Sequence, residues 1–127
     1  GQKWENTDTN QVVQQADIMP SVLHFVGYNK PFVAFGSSVF DTTKTTFAVS
    51  YINGIYQLID KNITLSFNGN NIVAIDSLIN KQWVNINVTD SIINNYKSHE
   101  NLLKSVIQQY NHRMITNNLK FKDILSE

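Results

Sequence analysis

Three histidines, His24, His99 and His112, and, of the ten carboxylates, Asp60, Asp76 and Asp90 are the first candidates to hold a metal or move a proton. The histidines fall on different segments, and the 13-residue step from His99 to His112 matches no ligand spacing. They are expected as solvated or half-buried side chains. Each aspartate sits near the end of a predicted strand, where Asp habitually accepts from the backbone of its own turn. No GxSxG or other nucleophile motif appears. The five glycines are scattered singly, and none precedes Lys-Ser or Lys-Thr, so no phosphate-cradling loop is present. With no cysteine, the chain has neither a disulfide scaffold nor a thiolate metal site. A non-enzymatic protein without metal or cofactor is expected.

Binding chemistry has two candidate surfaces. Phe32, Phe40, Tyr51 and Tyr56 are aromatics on which bases could stack, and Lys44, Lys61 and Lys81 are loop cations that could follow a phosphate backbone. Against this, lone turn lysines are normally solvated, and Phe32 is a natural core residue. Ten Lys and Arg balance ten Asp and Glu, so the chain is formally neutral and lacks the cationic footprint of an autonomous nucleic-acid binder. The second surface is a helix stripe. Tyr96, His99, Leu103, Val106, Tyr110 and Met114 follow one another at steps of 3, 4, 3, 4 and 4, with Leu102 and Ile107 widening the band. This stripe either plugs the domain's own core or leaves surface for a partner.

The elements that must position these residues read as follows. At 127 residues one domain is expected. No run of 18 apolar residues exists, so no membrane-spanning helix is expected. Residues 1–17 read as a flexible polar arm, with a turn of helix near Gln11 to Ala16; residues 18–127 read as the domain. Pro20 and Gly27 bracket a short helical turn. Phe32 to Phe40 is rich in aromatic and branched residues and predicts a first strand, with Gly36 as a bulge. Thr45 to Tyr51 alternates as a second strand, and Asn53-Gly54 is a strong hairpin signal. Ile55–Ile59 and Ile63–Phe67 read as one interrupted strand or two short ones. Ile72–Ile79 and Trp83–Ile93 form a last pair around Asn80-Lys81-Gln82. A helix over about 96–114 follows, with Ser98 as its expected N-cap, and a short amphipathic piece through Leu119, Phe121, Ile124 and Leu125. Short strands joined by tight turns suggest a mainly β, five-stranded closed barrel with a long C-terminal helix.

Leu23-His24-Phe25-Val26, then Lys30-Pro31, four residues and Gly36, resembles the start of the small subunit of replication protein A. Phe47-Ala48-Val49-Ser50, Ile63-Thr64-Leu65 and Ile72-Val73-Ala74-Ile75 extend the likeness, which covers about residues 19–114. Ile52 to Asn62 is longer than that pattern, and Asn68 to Asn71 leaves no room for the helix many OB-folds place there. A telomere- or telomerase-associated paralogue is therefore an equal match. The resemblance implies an OB-fold subunit in the nucleus, serving DNA replication or telomeres within a heterotrimer. Its C-terminal helix would pair with a larger OB-fold subunit through Tyr96, His99, Leu102, Leu103, Val106, Ile107, Tyr110 and Met114. Single-stranded DNA would be met mainly through that complex. Two alternatives stand beside it: a stand-alone single-strand binder using Lys44, Tyr51, Tyr56, Lys61 and Lys81, or a pleckstrin- or polo-box-like recognition module.

Overall fold

The computed structural model describes residues 11–118. A 3-10 turn, Gln15–Asp17, leads into α1 (Ile18–Phe25). An irregular segment then reaches β1 (Ala48–Ile52), followed by β2 (Ile55–Ile59), β3 (Ile63–Phe67), β4 (Ile72–Ile79) and β5 (Gln82–Ile86). Two helices close the described chain, α2 (Asp90–Asn95) and α3 (Lys97–Ile115). The expected amphipathic piece beyond residue 118, and residues 1–10 of the expected arm, lie outside the described residues. No helix among the described residues is long and apolar enough to cross a membrane.

The five strands form one antiparallel sheet in the order β1-β2-β3-β4-β5. This corrects the expected closed barrel. A Greek-key barrel needs a strand that returns to pair beside an earlier one, whereas among the described residues every strand pairs only with its sequence neighbours, and β1 and β5 stand at the two edges of the sheet. Nor are there the seven or six strands of a pleckstrin- or polo-box-like module among the described residues.

Local turn chemistry accounts for the meander. Asn53 and Gly54 take φ of 52° and 83° and close the β1–β2 hairpin in two residues. Asn80 and Lys81, at 50° and 64°, do the same between β4 and β5. Asp60 Oδ1 accepts from the amides of Asn62 and Ile63, each at 2.8 Å. Asn68 Oδ1 likewise accepts from Asn70 and Asn71, each at 2.9 Å. Much of the chain's asparagine thus serves as turn residue.

One sheet face is apolar. Val49, Leu58, Leu65, Ile75 and Ile86 stand in a single cross-strand row. Leu58, Leu65 and Ile75, with Leu103 of α3, are completely buried. The other face carries a polar row, in which Ser50 donates to Gln57 at 3.5 Å and Gln57 donates to Ser66 at 3.4 Å.

Two expected strands are corrected. Phe32 to Phe40 is irregular, because its amides are spent elsewhere: Ser37 N donates to Asp17 Oδ1 (2.8 Å) and Val39 N to Ser21 Oγ (3.0 Å). Gly36 is required there by close approach to the backbone of Ala16, not by a bulge. Trp83–Ile93 breaks after Ile86, where Thr89 caps α2 by accepting from Ile92 N. Ser98 caps nothing; it lies inside α3, whose N-cap position is Tyr96. The C-terminal end of the expected arm is fastened to the domain, since Asp17 Oδ2 accepts from Gln14 N (2.9 Å) and Gln14 Oε1 from Val49 N (3.1 Å). Pro20 does not open α1, which starts two residues earlier at Ile18 and holds Pro20 in its first turn. Gly27, at φ 71°, sits just past the helix, and Tyr28 N and Gly27 N return to the carbonyls of Leu23 and His24.

Candidate partner-docking site

The 19 residues of α3 span about 28 Å at 1.5 Å per residue. Its core contacts, Leu102, Leu103 and Ile107, fall within its first three turns, so its C-terminal end overhangs that core.

The first half of α3 is spent on the domain itself. Leu103 is fully buried, and Tyr96, Leu102 and Ile107 pack against the same core. His99 Nε2 and Asp60 Oδ2 meet at 2.9 Å and tie the start of the helix to the β2–β3 turn. Glu100 is buried between Lys97 (2.8 Å) and Lys104 (2.6 Å), and Lys104 Nζ also lies 5.1 Å above the ring of Phe67.

The hydrogen bonds from Lys104 and Lys97 hold the Glu100 carboxyl below the usual carboxylate range. Its stabilising contribution is therefore complete above the unfolded value of 4.5 and is lost as pH falls through the lower folded value. Glu100→Gln is expected to cost roughly 1 kcal/mol at pH 7, given that both lysines are half exposed. The difference from wild type should shrink below about pH 4. Melting temperatures recorded from pH 3 to 7 check this.

The last two turns lie beyond the residues that pack on the core. Tyr110 and Met114 lie seven and eleven residues beyond Leu103, on the same helical face, yet each is half exposed. Ile115 is 85 % exposed. Tyr110 leans on Phe35, ring centroids 5.2 Å apart, and Val106 is half-buried. On the other flank a groove of about 680 Å³ opens between α3 and the sheet end. It is lined by Tyr56, Phe67, Ile107 and Ile115, with Lys104, Gln108, Asn111 and His112 on the helix side. The exposed ring of Tyr51 lies against Tyr56, centroids 4.4 Å apart and planes tilted by 38°, and extends the aromatic wall.

The expected stripe therefore exists but is divided: Tyr96, His99, Leu102, Leu103 and Ile107 contact the domain, whereas Tyr110 and Met114 reach solvent. Phe67, Lys104 and Ile115 belong to the groove and were not legible as site residues. Ile115 falls outside the stripe's period, and Phe67 shows its role only when α3 is laid on β3.

The nucleic-acid candidates do not converge. Tyr51 and Tyr56 flank the β1–β2 turn, while Lys61 and Lys81 stand in the turns at the opposite end of the sheet. Lys44 pairs with Asp41 at 3.4 Å. Asp60 serves a turn, Asp76 accepts from Asn85 across strands (2.9 Å), and Asp90 opens α2. Among the described residues no cluster of three or more potential metal ligands occurs. No family model, curated protein or solved structure matches the chain.

Proposed function

We propose that this chain is a non-catalytic scaffold subunit that docks a larger partner polypeptide through the overhanging end of α3. The observation that carries the reading is the division of that helix. One half is consumed by its own core, and the other presents Tyr110, Met114 and Ile115 beside an aromatic-walled groove. An apolar helix of a partner suits such a surface, with anchors entering at helical spacing. Burying three such side chains is worth roughly 1.5–3 kcal/mol each before ordering costs. The sequence resemblance supplies the partner class: a larger subunit of a nuclear, replication-protein-A-like complex, through which single-stranded DNA would be met. Docking on the helix asks nothing of barrel closure, so an open sheet serves equally well.

The test uses the chain as bait in extract of its native cell. Met114→Glu with Ile115→Glu is expected to reduce recovery of the co-purifying subunit at least about 100-fold, because two buried anchors are replaced by charges. The melting temperature should stay within about 2 °C of wild type, since surface substitutions rarely exceed 0.5 kcal/mol. Recovery at full yield refutes the assignment.

A further inference from the structure

Of the chain's asparagines, only Asn53 and Asn68 are followed by glycine. That step carries a reaction of its own. The backbone nitrogen of the next residue can attack the side-chain amide carbon of asparagine and close a five-membered ring. Glycine leaves its nitrogen unshielded, because it has no Cβ. By sequence the two sites are equal, and the structure separates them. Asn68 is latched. Its Oδ1 accepts from the amides of Asn70 and Asn71, each at 2.9 Å, and its own amide donates to Asn71 O at 3.1 Å. Ring closure turns the Asn68 side chain toward Gly69 N and away from both donors. Asn53 has no such latch. Its side chain is exposed and has no hydrogen-bond partner among the described residues, and neither has the Gly54 amide. Tyr51 and Ile52 before it are 60 % and 61 % exposed. The Ile52–Ile55 pair that closes the turn is the last rung of the β1–β2 ladder, where local opening costs least.

We propose that Asn53 is a site of spontaneous self-modification, at which the folded chain slowly exchanges an amide for a carboxylate. Gly54 N bonds to Asn53 Cγ, and the Cγ–Nδ2 bond breaks. Nδ2 leaves as ammonia, taking the proton from Gly54 N, and a cyclic imide remains. Water then opens the imide at either of its carbonyls. Opening at Cγ with respect to the chain nitrogen gives aspartate in the ordinary backbone. Opening at the Asn53 main-chain carbonyl gives isoaspartate, whose backbone runs through the former side chain. The step needs no oxidant and no cofactor. Either product lowers the formal net charge from zero by one. The two products differ in what they do to the hairpin. Asn53 and Gly54 hold φ of 52° and 83°, and Asp-Gly serves the same two-residue turn. Isoaspartate inserts a methylene into that turn, and the Ile52–Ile55 pair is lost.

The test holds the full chain in mildly alkaline buffer at about 37 °C, folded or unfolded in urea, and follows it for days by isoelectric focusing. Peptide mapping by mass spectrometry locates the gain of about one dalton, and methylation by an isoaspartyl methyltransferase reports the isomerised product. In urea the latch at Asn68 is gone, so the two sites are expected to convert at similar rates. In the folded chain Asn53 is expected to convert at least about tenfold faster than Asn68, whose side chain must first give up two hydrogen bonds. Asn53→Gln should remove most of the acidic form from the folded chain, because glutamine would have to close a six-membered ring. The proposal is overturned if Asn68 converts as fast as Asn53 or faster in the folded chain, since the two amides then polarise its carbonyl instead of holding it away. It is also overturned if the folded chain keeps its charge while the urea-unfolded chain converts completely.

Discussion

Leu103→Ala is expected to destabilise the domain by about 3–4 kcal/mol, within the range for a fully buried leucine that leaves a cavity behind. For a chain of this size that lowers the melting temperature by roughly 10 °C or more. Leu103 is the one completely buried residue that α3 contributes to the core of Leu58, Leu65, Phe67, Ile72 and Ile75. Its removal therefore subtracts packing and unseats the helix from the sheet. The same truncation at Met114, eleven residues along the same face, should change the melting temperature by less than about 2 °C, because that side chain already meets solvent. Thermal and urea unfolding of the two variants check the contrast. A cost below 1 kcal/mol for Leu103→Ala contradicts the seating of α3 described above.

The second large effect is expected at Gly36. A Cβ added there would stand 2.5 Å from both the carbonyl carbon and the carbonyl oxygen of Ala16, and against the Asp17 carboxylate. Backbone atoms do not swing aside as a flexible side chain does, so the 3-10 turn and the 36–39 segment must separate. The amides of Ser37 and Val39 then lose Asp17 and Ser21. Two effects compete. Gly→Ala stabilises by about 0.4–1 kcal/mol through the unfolded chain where the native conformation accepts it. Overpacking and the loss of buried hydrogen bonds cost about 1–3 kcal/mol each. The second wins, and Gly36→Ala is expected to lose about 2–4 kcal/mol. Hydrogen exchange should accelerate mainly over residues 14–39, where α1 is moored, and less over the sheet. A neutral or stabilising Gly36→Ala contradicts that mooring.

Much of this fold is legible in the residues, for identifiable reasons. Asn53-Gly54 announces a two-residue hairpin because both positions need positive φ. Ile63–Phe67 and Ile72–Ile79 carry the branched and aromatic content of half-buried strands, and the α3 stripe locates its helix to within a residue. The irregular Phe32–Phe40 segment is not legible. Its composition is that of a strand, and only the distant Asp17 and Ser21 turn its amides away from a ladder. Open sheet against closed barrel is equally hidden, since a strand's periodicity says which face is buried and not which strand lies beside it. The docking site was half legible. Leu103 and Met114 share one period, and only the packing of the first half of α3 on the sheet makes one core and the other surface. The orientation of α1 is not legible locally either, because it is set by His24, Ser21 and Asp17 meeting residues 37–39.

The central claim, that α3 is divided between its own core and a partner, is tested most directly by site-specific photo-cross-linking in the native complex. A photoreactive side chain is placed at position 115, on the overhang, or at position 101, exposed on the seated half. The division of the helix requires the partner subunit to cross-link strongly from position 115 and not from position 101. Equal yields from both positions, or a product from 101 alone, would contradict it.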